Sequence, residues 1–237
     1  MKELISTGLE SLGLSGSVPA QSAEQLAHYG QLLIEQNKVM NLTAITQPHD
    51  VATLHMLDCA PLLECGRMHG KTLIDVGTGA GFPGMVLKIL CPGLDITLLD
   101  GLQKRLDWLD TVACDLGITG VTTVHGRAEE YGLDPKFRDQ FDFATARAVA
   151  DLRLLFEMCL PFVKVGGRFL AMKSVDCDAE LEQSASAIEK LGGKLSGCYD
   201  YAIPHTDVTH RVVVIDKVDP TPSGYPRRWA KIQKSPL

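Results

Sequence analysis

A chain of 237 residues with 45% hydrophobic and 22% charged side chains can bury about 70% or more of its unfolded surface, so no metal or disulfide is needed to hold it together. Its formal charge of −6 argues against a protein that coats nucleic acid non-specifically, because such binding neutralises many phosphates. The seven cysteines are odd in number, lack a C-x-x-C pair and mostly sit in apolar segments, which suits reduced, buried thiols of a cytoplasmic protein. Neither a secretory leader nor a run of ~18 apolar residues is visible, so no membrane contact is expected.

In chain order, the first periodic segment runs from Ser22 to about Met40, with Leu26, Tyr29, Leu33 and Met40 on one helical face and Ser22 and Gln25 as a capping box. A second short helix starts at Asp50, uses Val51, Leu54 and Leu57, and leaves His55 and Asp58 one turn apart on another face. From Lys71 apolar runs alternate with helical stretches, the pattern of β-α units around a parallel sheet. Strands are expected near 72–76, 95–100, 121–124, 141–146, 166–172, 195–203 and 210–217. Helices are expected near 83–91, 102–117, 151–163 and 178–191, with Gly117, Gly166 and Gly192 as their stops. The short link between the last two strands predicts an antiparallel hairpin at the end of the sheet. Residues 1–68 then form a helical extension, 69–218 an α/β core, and 219–237 a basic tail carrying Arg227, Arg228, Lys231 and Lys234 without an acid.

The strongest local signal is Asp75-Val76-Gly77-Thr78-Gly79-Ala80-Gly81-Phe82-Pro83-Gly84, where an apolar strand enters a glycine loop and then a helix opened by proline. Such a loop lets a ligand approach the backbone closely. A dinucleotide fingerprint would need glycine where Phe82 stands, whereas this loop reads G-x-G-x-G with an acid two residues before it. That variant resembles motif I of class I S-adenosylmethionine-dependent methyltransferases. Asp100 ends the next strand, where a carboxylate can accept hydrogen bonds from ribose hydroxyls, and Gly126-Arg127-Ala128-Glu129 follows the third. Three features at the carboxyl ends of consecutive strands match the crevice rule for open α/β sheets.

The fourth strand leads into Arg147-Ala148 without the N/D-P-P-aromatic motif that serves exocyclic amines, and no Pro-Cys nucleophile is present. An acceptor that needs neither device is favoured. The other readings open from these residues are a methyltransferase for a small molecule or protein, a nucleotide-binding regulatory module, and a dehydrogenase.

Nearly the whole chain resembles the RsmG (GidB) family of bacterial 16S ribosomal RNA guanine-N7 methyltransferases. The resemblance is carried by Asn41-Leu42-Thr43-Ala44-Ile45, His55-x-x-Asp58, the glycine loop, Gly126-Arg127-Ala128-Glu129, Arg147-Ala148, and Tyr225-Pro226-Arg227-Arg228 with Ser235-Pro236-Leu237. It implies a class I, Rossmann-like fold: a seven-stranded, mostly parallel sheet with helices on both faces. It also implies S-adenosylmethionine as cofactor, and Gly77, Phe82, Ala128, Glu129 and Arg147 in its pocket, joined by Asp75, Gly79, Gly81 and Asp100 from the loop reading. Arg227, Arg228, Lys231 and Lys234 are expected to face RNA of the small ribosomal subunit. A monomer without metal is expected. Guanine N7 has an in-plane lone pair and no proton to remove, so no general base is assigned, and His55 and Asp58 are read as a hydrogen-bonded cap over the cleft. Ala146 and Ser174 stand where family members often have serine and glycine, which bears on the role of Lys173.

Overall fold

All seven expected strands form in the computed structural model, which describes residues 1–147 and 150–237. They are β1 (Thr72–Val76), β2 (Asp95–Asp100), β3 (Val121–His125), β4 (Phe141–Arg147), β5 (Val163–Ser174), β6 (Gly193–Ala202) and β7 (Thr209–Lys217). They make one sheet in the order β3-β2-β1-β4-β5-β7-β6. The pairs within β3-β2-β1-β4-β5 are parallel, whereas β7 runs antiparallel to both β5 and β6. The last two strands are thus the expected hairpin, and it is β7 that lies against β5.

The near-continuous apolar runs of the central strands follow from burial on both faces. Successive side chains point to opposite faces. Leu73, Leu98, Leu170 and Val212 therefore join one core, while Ile74, Leu99, Phe169 and Val213 join the other.

The helices are α1 (Lys2–Ser11), α2 (Ser22–Asn37), α3 (Pro48–Asp50), α4 (Gly84–Leu90), α5 (Gln103–Asp115), α6 (Ala128–Tyr131), α7 (Leu152–Cys159), α8 (Asp178–Gln183), α9 (Ala185–Lys190) and α10 (Trp229–Lys234). The first core packs under the N-terminal segment, where Ile5, Leu26, Tyr29 and Leu57 are fully buried. After α3 the chain widens to π-type turns over Val51–Leu57 and tightens to 3-10 turns over Ala60–Cys65. The second core packs under α7, α9 and α10, through Leu155, Ile188 and Ile232.

Several expectations need correction. Helix α1 carries no strong cap and goes unread in the sequence; tertiary packing of Ile5 and Leu9 makes it. The Ser22–Gln25 capping box does not form, because the Ser22 hydroxyl turns to the Ile89 carbonyl instead. Helix α2 stops at Asn37, short of Met40. The expected helix 151–163 ends at Cys159, where Pro161 enters a tighter turn, so Gly166 lies inside β5 rather than ending a helix. The stretch 178–191 is split at Ser184, whose hydroxyl bonds the Glu180 carbonyl. All seven cysteines are free, but Cys114 and Cys198 are exposed.

Candidate functional site

β1 delivers Asp75 to the floor of the glycine loop, fully buried. Its Oδ2 accepts from Thr78 Oγ1 at 2.7 Å and from the Gly84 amide at 2.9 Å, tying the loop to the start of α4. Gly84 is required there, since a Cβ would lie 2.6 Å from Leu98 and 2.9 Å from Asp75. Asp75 Oδ1 is buried without a hydrogen-bond partner, and burial pushes the carboxyl up to about 6. Asp75 is absent from the cleft lining, so its part is to shape the loop.

The three glycines divide into two roles. Gly77 and Gly79 have φ of 72° and 59° and line a cleft of about 620 Å³. Beside Gly79 a Cβ would meet nothing nearer than the Gly77 carbonyl at 3.9 Å, which leaves backbone open to a ligand. Gly81 does not face the cleft. With φ of 87°, its Cβ would land 2.9 Å or less from the Tyr29 hydroxyl, Leu109 and Met85, so this glycine admits the N-terminal segment against the loop. The Tyr29 hydroxyl donates to the Ala80 carbonyl at the same junction.

Asp100 closes β2 with its carboxylate in the cleft wall, where Oδ2 accepts from the Gly79 amide and Oδ1 from the Leu102 amide, both at 2.9 Å. Oδ1 keeps a further lone pair for a ligand hydroxyl, whereas Oδ2 also accepts from Arg105 Nη1. Arg105 stands 3.5 Å from Oδ2, so it belongs to the cleft rather than to an outer helix face. A smaller cavity of about 240 Å³ adjoins, sharing Gly77, Asp100 and Arg127 with the cleft and adding Ala128, Glu129, Met158 and Trp229.

Arg147 ends β4 and lies over the Phe82 ring, 4.9 Å from its centroid. Its guanidinium donates to the Leu54 carbonyl at 3.0 Å, to Asp58 Oδ2 at 3.1 Å and to His55 Nδ1 at 2.7 Å. A guanidinium has only donors, so His55 Nδ1 must accept and Nε2 must carry the hydrogen that goes to Thr43 Oγ1, 2.8 Å away. Burial, and then the adjacent Arg147 charge, push His55 down to about 3, which keeps it neutral at pH 7. His55 also stacks on Phe82 with centroids 4.4 Å apart. Asp58 accepts from Tyr201 at 2.9 Å and from His210 Nδ1 at 2.8 Å, and that bond to Asp58 raises the His210 pKa.

His55 and Asp58 are thus joined through Arg147 rather than to each other, and His55 alone of the two lines the cleft; His210, Tyr201 and Thr43 complete a network that periodicity does not reveal. The Asn37 side chain fixes the Leu42–Thr43 backbone by three hydrogen bonds, which explains how that stretch becomes a cleft wall. Ala148 lies outside the described residues. A further cavity of about 490 Å³ also borders Arg147 and His55 and is lined besides by Leu54, Met172, Lys173 and His210. Lys173 is paired there with Glu180 at 2.7 Å.

The C-terminal residues are not a loose tail. Arg138 donates to the carbonyls of Thr221, Pro222 and Tyr225, and Ile232 is fully buried. Arg227 corrects the expectation of an RNA-facing side chain: its Nε and Nη2 grip Glu157, which is itself fully buried. Arg228, Lys231 and Lys234 remain exposed. Among the described residues no group of three or more His, Cys, Asp and Glu is placed to hold a metal ion, and no helix is long and apolar enough to cross a membrane.

Residues 22–203 match the family described as rRNA small subunit methyltransferase G. Ribosomal RNA small subunit methyltransferase G of Alkaliphilus metalliredigens is 43% identical over 237 residues, covering 100% of this chain and 98% of the relative. In fold the chain is similar to TrmN from Thermus thermophilus, with a TM-score of 0.53 at 20% identity over 68% of this chain and 48% of that one. It is also similar to a mutant of MtNAS solved in complex with S-adenosylmethionine, with a TM-score of 0.55 at 17% identity over 92% of this chain and 78% of that one. The expected architecture, a seven-stranded and mostly parallel sheet with helices on both faces, is the one observed.

Proposed function

This chain belongs to the rRNA small subunit methyltransferase G family, and from that membership we propose that it moves the methyl group of S-adenosylmethionine to N7 of a guanine in 16S ribosomal RNA, near the decoding site. The observation that carries the reading is the convergence of Gly77, Gly79, Asp100, Ala128 and Glu129 on two adjoining cavities at the carboxyl ends of β1, β2 and β3.

The residues fit that cofactor. Open backbone at Gly79 allows close approach, and the free lone pair on Asp100 Oδ1 suits a ribose hydroxyl. Ala128 and Glu129 suit the adenine end. Phe82, with the His55 ring stacked on it and the Arg147 guanidinium beside His55, walls the other end. When bound, the cofactor supplies an electrophilic methyl on a sulfonium.

What remains for the protein is alignment. Guanine N7 attacks with a lone pair already free at neutral pH, so holding the base in line is the main contribution and no side chain need take a proton. The acceptor base is assigned to the cavity that shares His55 and Arg147 with the cleft. Arg228, Lys231 and Lys234 supply exposed positive charge for RNA phosphates, while Arg227 keeps its helix in place.

The test is to incubate the protein with labelled S-adenosylmethionine and small-subunit RNA from cells lacking the chain, then map the label by cleavage at 7-methylguanine. Label at one guanine N7 is expected. Label on an exocyclic amine, a ribose or a protein would overturn the acceptor assignment.

A further inference from the structure

The wall of the smaller cavity includes a residue that no motif predicts. Trp229 is the first residue of α10, yet it lines the same space as Gly77, Asp100, Ala128, Glu129 and Met158. Its position is built in. Half-buried, it packs on the second core together with Ala128 and Tyr131, between two anchors: the Arg227–Glu157 ion pair at 2.6 Å on one side and the buried Ile232 on the other.

We propose that Trp229 forms the outer wall of the adenine end of the cofactor cleft, and that α10 thereby couples RNA binding to cofactor binding. The inference rests on the cleft being the S-adenosylmethionine site. An indole offers a planar apolar face against a purine, and stacking on an aromatic side chain is sequence-tolerant and strong. The same short helix carries exposed Lys231 and Lys234, with Arg228 just before it. Six helical residues extend only about 9 Å. RNA phosphates that hold those cations therefore hold the indole too, and linkage requires that bound cofactor favour RNA by the same factor.

S-adenosylhomocysteine serves as probe, with the full chain and calorimetry as the readout. Trp229→Ala should weaken its binding about 10-fold or more, the order expected for lost aromatic stacking, while Trp229→Phe stays near the parent. In a Trp108→Phe background, which leaves Trp229 as the remaining indole, saturating S-adenosylhomocysteine should change the emission. A 16S ribosomal RNA transcript should tighten S-adenosylhomocysteine binding several-fold in the parent and not in Trp229→Ala. Parental affinity in Trp229→Ala together with unchanged emission would overturn the wall assignment while leaving the cofactor site intact. Equal affinity with and without RNA would overturn the coupling. Failure of the parent to bind S-adenosylhomocysteine at all would overturn the reading of the cleft itself.

Discussion

The N-terminal and C-terminal segments flank the same cleft but are held there by different physics. The N-terminal segment contributes His55 and Asp58 to a buried network in which Arg147 alone makes three hydrogen bonds and Asp58 accepts from three side chains. The C-terminal helix is held by one ion pair, a set of carbonyls on Arg138, the buried Ile232 and the half-buried Trp229, and its two lysines reach solvent. A buried charge with several partners cannot leave one of them without stranding the rest, so that wall is rigid. A short helix with few anchors opens at lower cost, which suits a surface that must meet RNA.

The largest effect should come from Arg147→Ala, which strands Asp58 in a site where it is 2% exposed. A loss of about 3–5 kcal/mol in urea unfolding is expected, with Tm falling by roughly 10 °C. The loss should be global, because the N-terminal segment shares its core with the sheet.

Glu157→Gln should cost less, about 1–3 kcal/mol, because the freed Arg227 can turn toward water. Its mark should be local: amide exchange over residues 225–234 accelerates while that of β1 and β4 is unchanged. Equal and global losses for the two variants would erase the contrast between the segments.

The smallest effect sharpens the contrast through pH. The folded pKa of His55 is about 3 against 6.5 for the free side chain. Between those values the unfolded chain binds more protons, so stability falls as the pH drops below 6.5. His55→Gln, which can still accept from Arg147 and donate to Thr43, should remove about 1 kcal/mol of the loss between pH 6.5 and 5.5. Asp75, with its carboxyl raised to about 6, contributes with the opposite sign in both proteins and cancels in the difference. Identical acid limbs in the two proteins would show that His55 is not the neutral, buried group described.

Strands were legible because alternation and apolar runs are local consequences of burial on two faces, as at Leu73 and Ile74 or Val212 and Val213. Helix ends were less so. Ser22 bonds across to Ile89, and Pro161 ends α7 early, both choices made by neighbours rather than by propensity. The loop glycines were legible as a set and not in their division of labour, since only packing shows that Gly79 opens toward the cleft and Gly81 toward Tyr29.

By itself the sequence determined the sheet, the glycine loop with Asp75 and Asp100, and the family, because each rests on residues close together in the chain. Tertiary structure decided which charges are spent. Arg227 and Glu157 lie 70 positions apart, and Arg147 and His55 lie 92 apart. A side chain's formal charge is written in its residue, but the partner that neutralises it is set by where the fold brings distant segments together.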